Sequence, residues 1–228
     1  MSDMNKTFMV AVAITALAAS APGASQSKGS DAPAGMTNFD LVRAKVENTT
    51  YRGRKAVKVV PGDGVEGDKD MLAVLPGITF GDGTIEVDVA GAPCPGCSEG
   101  ARGFIGVAFR VQDGNERYEM FYVRPVNARY DDQLIRNHAT QYISAPTFSW
   151  RKLRQESPGV YESYADMETG AWTHLKIVVS GKRALLHVNG ADQPCLVVKD
   201  LKLGETRGRV ALWAHISTDA YFSGLTVR

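Results

Sequence analysis

The last third of the chain alternates apolar and polar side chains in short runs closed by turn residues, a pattern that only an antiparallel sheet satisfies. Trp172 to Val179, Ala184 to Val188, Val210 to Ala214 and Ala220 to Val227 each read as a half-buried strand. Ser180-Gly181-Lys182 separates the first two and Asn189-Gly190 follows the second. Asn-Gly favours a tight turn because both residues tolerate positive φ. The same punctuation runs upstream, where Leu41 to Val46, Ala56 to Val60, Met71 to Leu75, Thr84 to Val89, Phe104 to Val111, Arg117 to Val123 and Thr140 to Ile143 are further strands. Pro61-Gly62-Asp63-Gly64, Pro76-Gly77, Gly81-Asp82-Gly83 and Asp113-Gly114-Asn115 divide them. About eleven strands and no long helical repeat predict an all-β protein. The expected architecture is an antiparallel two-sheet β-sandwich or jelly roll, since each sheet must bury its apolar face against another layer.

The 228 residues suffice for one large β domain. With 26 Lys and Arg against 25 Asp and Glu, a net charge of +1 offers no general attraction to nucleic acid or an acidic membrane, so no nucleic-acid partner is expected. Charge is uneven locally: residues 124 to 154 hold six cations and two anions, a balance of +4. At the start, Lys6 precedes the apolar run Phe8 to Ala19, which is too short to span a bilayer, and Ala16-Leu17-Ala18 has the form of a cleavage site. Residues 1–25 therefore read as a signal peptide, 26–37 as a flexible lead-in and 38–228 as the β domain. No later segment is apolar for long enough to be a membrane helix, so the expectation is a periplasmic or secreted protein without an integral membrane segment after processing.

Export changes how three cysteines are read. Cys94-Pro95-Gly96-Cys97 lies in a Gly- and Pro-rich loop between two strands, with no helix following to activate a thiolate. A structural disulfide is expected, Cys94 with Cys97 or one of them with Cys195. The pair is also half a zinc site, but the second half is missing, and no loop is dense enough in Asp, Asn and Glu for calcium. No metal and no cofactor are expected.

Alternation in Phe104 to Val111 places Ile105, Val107, Phe109 and Val111 toward the core and Arg110 opposite, beside Gly106 and Ala108. In the next strand Phe121 and Val123 face inward, which sends Tyr118, Met120, Tyr122 and Arg124 outward. A hairpin across Asp113-Gly114-Asn115 then gathers Arg110, Tyr122 and Arg124 on one exposed surface. Aromatic rings stack on the apolar faces of sugars, and an Arg fork donates paired hydrogen bonds to hydroxyl or carboxylate oxygens. The expected ligand is a carbohydrate, acidic or polyhydroxylated. The irregular stretch 125 to 170 borders that face and adds Arg136, His138, Tyr142 and Trp150. His138 and Tyr142 share a face if this stretch is a strand, and a neutral His with a Tyr beside an Arg suits proton transfer on an acidic sugar. Trp172-x-His174 and Trp213-x-His215 repeat one spacing, each pair on a single strand face.

Phe80-x-Asp82-Gly83-Thr84-Ile85-Glu86-Val87-Asp88-Val89, Gly106-Val107-Ala108-Phe109-Arg110 and Tyr118-Glu119-Met120-Phe121-Tyr122-Val123-Arg124 resemble the concanavalin A-like lectin/glucanase superfamily. Gly170-x-Trp172-Thr173-x-Leu175-Lys176-Ile177, Leu185-Leu186-His187-Val188-Asn189-Gly190, Gly208-x-Val210-Ala211-Leu212-Trp213 and Ala220-Tyr221-Phe222-x-x-Leu225 are similar to its laminin-G-type and 3-keto-disaccharide-hydrolase-like members. The resemblance implies the sandwich fold over about residues 37 to 228 and admits three functions: a lectin-like sugar binder, a glycan-active enzyme (glycoside hydrolase or acidic-sugar lyase), or a protein-interaction module. Glucanases of this superfamily carry Glu-x-Asp-x-x-Glu on a strand, whereas here Glu86-x-Asp88 is followed by Gly91 where the last acid belongs. A retaining hydrolase needs two carboxyl groups about 5 Å apart. Glu86 and Asp88 therefore read as solvated acids on a polar strand face, and binding is favoured over catalysis.

Overall fold

The computed structural model describes residue 1, the pair 30–31 and residues 38–228. The segments read as signal peptide and lead-in lie, that pair and residue 1 aside, outside the described residues. The strands are β1 (Ser30–Asp31), β2 (Asp40–Val42), β3 (Ala44–Tyr51), β4 (Arg54–Pro61), β5 (Asp70–Val74), β6 (Gly83–Pro93), β7 (Ile105–Val111) and β8 (Tyr118–Val123). They continue with β9 (Thr140–Ala145), β10 (Glu162–Ser163), β11 (Thr173–Ser180), β12 (Arg183–Val188), β13 (Leu196–Val198), β14 (Arg209–His215) and β15 (Thr218–Val227). Three short helices, α1 (Pro125–Ala128), α2 (Gln133–Arg136) and α3 (Trp150–Glu156), flank β9.

The strands form two antiparallel sheets. One runs β13-β12-β11-β6-β15-β4-β3, with β1 also on β15, and the other runs β10-β9-β8-β7-β14-β5-β2. Between them lies the main core, where Ile85, Val87 and Val89 of β6 and Ile177 of β11 meet Val107, Phe109, Phe121 and Leu212 of the second sheet. The predicted sandwich is thus present, and each of the eleven predicted runs carries a strand. The run Leu41 to Val46 is an exception to continuity: Arg43 has φ 54°, and this left-handed residue breaks it into β2 of one sheet and β3 of the other. The change of sheet leaves no periodic signal.

A disulfide joins Cys94 to Cys97, one of the three pairings left open by the sequence, and closes the loop after β6. Cys195 is a free thiol, and burial pushes it up to about 11, away from the thiolate range.

Candidate functional site

The outer face of the β9-β8-β7-β14-β5 sheet carries a second apolar cluster, separate from the core, of Leu72, Val74, Ala108, Val111, Tyr118, Met120, Tyr122, Ala211 and Trp213. Together with the loops around it, this face forms an open groove of about 1090 Å³. Its floor follows from one small residue. Gly106 sits between Tyr122 on β8 and Trp213 on β14 in the strand register, so the two rings tilt together over it with centroids 5.0 Å apart. A Cβ on Gly106 would come within 2.1 Å of the Phe121 carbonyl oxygen. Tyr118 extends the floor and donates from its hydroxyl to Asp70 Oδ2 at 3.1 Å. Burial raises the Asp70 carboxyl above the usual range, against the pull of that bond.

Arg124 closes one end. It is 5% exposed, and its donors reach the His138 carbonyl (2.8 Å), the Tyr122 hydroxyl (2.6 Å) and Gln141 Oε1 (3.2 Å). Its Cζ stands 4.8 Å from the Tyr122 ring centroid and 5.9 Å from that of Phe104. Every one of those acceptors is neutral, and among the described residues no carboxylate pairs with the guanidinium. Burial pulls its pKa below the ordinary arginine value, so the charge is held at a cost. Beside it, Glu162 on β10 is buried and taken up by Arg154 of α3, whose Nε lies 3.0 Å from both carboxylate oxygens. His138 Nδ1 lies 2.9 Å from Glu162 Oε2. Burial lowers the His138 pKa, opposed by Glu162. With His138 neutral, Arg124, Arg154 and Glu162 leave this end with one uncompensated positive charge. Trp150, capped into α3 by Ser149, forms the rim with Arg154 Cζ 4.9 Å from its ring centroid.

At the other end of the floor, His215 Nε2 lies 2.6 Å from Asp68 Oδ1 and Nδ1 lies 2.7 Å from Ser217 Oγ. Its ring meets the Phe104 ring edge to face at 5.5 Å.

Of the residues proposed from sequence, Tyr122, Arg124, His138 and Trp150 line this groove. Arg110 does not join them. It has φ 51° at a β-bulge, where the pairing of β7 with β14 slips between Arg209 and Ala211. The bulge inverts the alternation, so Arg110 is 1% exposed and donates to the Gly81 and Gly181 carbonyls, the Gly204 carbonyl and Asp82 Oδ1, tying three loops together. Tyr142 also turns inward: β9 begins only at Thr140, after the turn that ends α2, so the phase of the strand does not extend back to His138. Tyr142 is fully buried in the core and donates to Glu119 Oε2 at 2.6 Å. Arg136 lies outside the groove and caps the carbonyls of Tyr130 and Asp131. The expectation that Arg124 and Tyr122 are exposed also fails, for both are buried in the groove wall and floor. Sequence reading misses Asp70, Arg154 and Glu162; the alternation that assigns Tyr118 to this face is the signal that leads to Asp70 on β5.

Glu86 and Asp88 stand on the outer face of the opposite sheet. His174 Nδ1 lies 2.9 Å from Asp88 Oδ1, and Arg54 lies 2.7 Å from Asp88 Oδ2. Among the described residues no group of three or more His, Cys, Asp or Glu side chains is placed to hold a metal ion.

Three solved structures share this architecture. The carbohydrate-binding module CBM66 from Bacillus subtilis has TM-score 0.56 at 15% identity, covering 85% of this chain and 97% of that one. The exoplasmic/lumenal domain of VIP36, in a Ca2+/Man3GlcNAc-bound form, has TM-score 0.53 at 12% identity, covering 83% and 84%. A Bacillus subtilis protein of unknown function with a galectin-like fold has TM-score 0.52 at 12% identity, covering 83% and 89%. No protein-family model and no curated protein matches the chain. The fold is of the concanavalin A-like lectin/glucanase type.

Proposed function

We propose that the protein binds carbohydrate in the groove of the β9-β8-β7-β14-β5 sheet and prefers an acidic sugar. The observation that carries this reading is the Arg124 guanidinium, buried over an aromatic floor and met only by neutral acceptors. A buried charge without a counter-ion is stabilised by an anionic ligand, and a sugar carboxylate matches the guanidinium fork. Trp150 at the rim, 38% exposed, offers the apolar surface on which a sugar ring stacks, above the buried rings of Trp213 and Tyr122. The carbohydrate-bound VIP36 structure and the CBM66 module support the same class of ligand for this fold.

Catalysis by proton abstraction on an acidic sugar is the second reading. It is favoured by His138, held neutral by burial beside Arg124. Binding fits better, because the Tyr122 phenol that would give the proton is pushed up to about 12 by its burial. We further propose that the chain is exported, with residues 38–228 as the working domain; the Cys94–Cys97 disulfide supports an oxidising compartment. Intact-mass analysis of the secreted product should show loss of about 18 to 30 N-terminal residues. A glycan array followed by titration tests the ligand: uronate-bearing glycans are the expected hits, and absence of any glycan binding by folded protein overturns the reading.

A further inference from the structure

We propose that the His215 end of the groove is a serine hydrolase centre that removes ester-linked acyl groups from the saccharide; the nature of the substrate rests on the carbohydrate reading, the nucleophile does not. β14 ends at His215, and the chain turns through Ile216 and Ser217 into β15, where it passes from one sheet to the other. Asp68, His215 and Ser217 all line the groove.

The hydrogen bonds define the tautomer. His215 Nδ1 accepts from the Ser217 backbone N–H at 3.2 Å, so it carries a lone pair, and the ring proton sits on Nε2, 2.6 Å from Asp68 Oδ1. The same lone pair faces Ser217 Oγ at 2.7 Å. Nucleophile, base and orienting carboxylate thus stand in hydrogen-bonding sequence, the arrangement that activates a serine, with the two ring nitrogens exchanged relative to the chymotrypsin order. The Phe104 edge holds the imidazole plane at 70°. The Ser217 carbonyl accepts from Cys94 N–H at 3.0 Å, so the disulfide loop anchors the nucleophile's backbone. The Asp68 side chain is 98% exposed, so water screens its charge; it sets the ring's tautomer, and the Ser–His pair carries the chemistry.

Phe104 lies between His215 and Arg124, its ring against both, which places an acyl group beside Ser217 when the sugar's carboxylate rests on Arg124. In the first step Ser217 Oγ bonds to the ester carbonyl carbon while its proton passes to His215 Nδ1. The carbon–oxygen bond to the sugar then breaks, and Nδ1 returns the proton to the departing hydroxyl. Water, activated by the same nitrogen, attacks the acyl-serine; the acid leaves and Ser217 regains its proton. Lys69 and Arg102 line the same groove and add positive charge to it.

The test uses the full chain with a biotinylated fluorophosphonate, 4-nitrophenyl acetate, and an acetylated uronate oligosaccharide beside its deacetylated form. One adduct on Ser217 is expected, located by peptide mapping and absent in Ser217→Ala. Hydrolysis of both esters should fall at least about 100-fold in Ser217→Ala and His215→Gln, and severalfold in Asp68→Asn. Ser217→Ala should melt like the parent and still bind the deacetylated oligosaccharide. Binding of that oligosaccharide without an adduct, or with hydrolysis unchanged in Ser217→Ala, overturns the hydrolase and leaves the binding site standing. An adduct on Ser217 with 4-nitrophenyl acetate turnover, but no oligosaccharide bound, upholds the nucleophile and overturns its saccharide substrate.

Discussion

The two outer faces of the sandwich present one sequence pattern in opposite settings. Trp172-x-His174 lies on the face of the β11-β6-β15 sheet, and Trp213-x-His215 lies on the groove face. On the first, charges are answered locally: His174 and Arg54 take Asp88, and Lys58 pairs with Asp219 at 2.9 Å. The aromatic residues there are covered too, with Arg54 Cζ 5.7 Å from the Trp172 ring centroid and Tyr51 stacked on Tyr221 at 3.8 Å. On the second, Trp213 packs beside Tyr122 over Gly106, both rings buried, and the nearby Arg124 has no carboxylate. The same residue types have Arg54, His174 and Lys58 paired with carboxylates in one place and leave Arg124 with neutral acceptors alone in the other. Residue identity does not separate the faces; completeness of pairing does.

The strongest way to break the contrast is to remove the space under the groove floor. Gly106→Ala drives a methyl group into the Phe121 carbonyl in the centre of the sheet, and should cost about 3 kcal/mol of stability in urea unfolding and abolish glycan binding. Arg124→Ala should weaken binding of an acidic glycan by about 1.5 to 3 kcal/mol, the range for hydrogen bonds to a charged group. Because the structure buries this residue, the variant should also lose about 1 to 3 kcal/mol of stability through the acceptors left bare at Tyr122, His138 and Gln141. That differs from the small melting shift an exposed Arg would give.

A weaker effect concerns pH. The folded-state pKa of His138 is depressed below 6.5, so its contribution to stability is present above that value and is lost as pH falls through the lower folded value. The parent should therefore lose more stability than His138→Gln between pH 7 and pH 5, measured by denaturant titration at each pH. The smallest effect is expected from Glu86→Gln on the paired face, where glycan affinity should stay within about twofold of the parent. A loss of a hundredfold there would reverse the assignment of the two faces.

Much of this is legible from period-two alternation. It places Tyr118, Met120, Tyr122 and Arg124 on one side of β8, and Trp213 with His215 on one side of β14, which is where the groove lies. It fails where the backbone leaves the strand repeat without a compositional mark. Arg43 and Arg110 are both non-glycine residues at positive φ, and each reverses the phase of the strand residues beyond it. Exposure is misjudged for a different reason: a side chain directed away from the core is free only if nothing else covers it. Here α3 and the 94–104 loop build walls over that face, and the Arg154–Glu162 pair that completes the site joins a helix to a two-residue strand with no periodic signature.

The central claim is that unpaired charge on Arg124 makes the groove a site for acidic sugars. Calorimetric titration of one uronate oligosaccharide, and of the same oligosaccharide with its carboxyl groups reduced to alcohols, tests it in the parent and in Arg124→Lys. The parent should bind the acidic form at least about tenfold tighter, a difference of about 1.4 kcal/mol. The lysine variant, which keeps the charge and loses the fork, should retain only part of that preference. Equal affinity of the parent for the two sugars, or full preference retained in a folded Arg124→Gln variant, would contradict it.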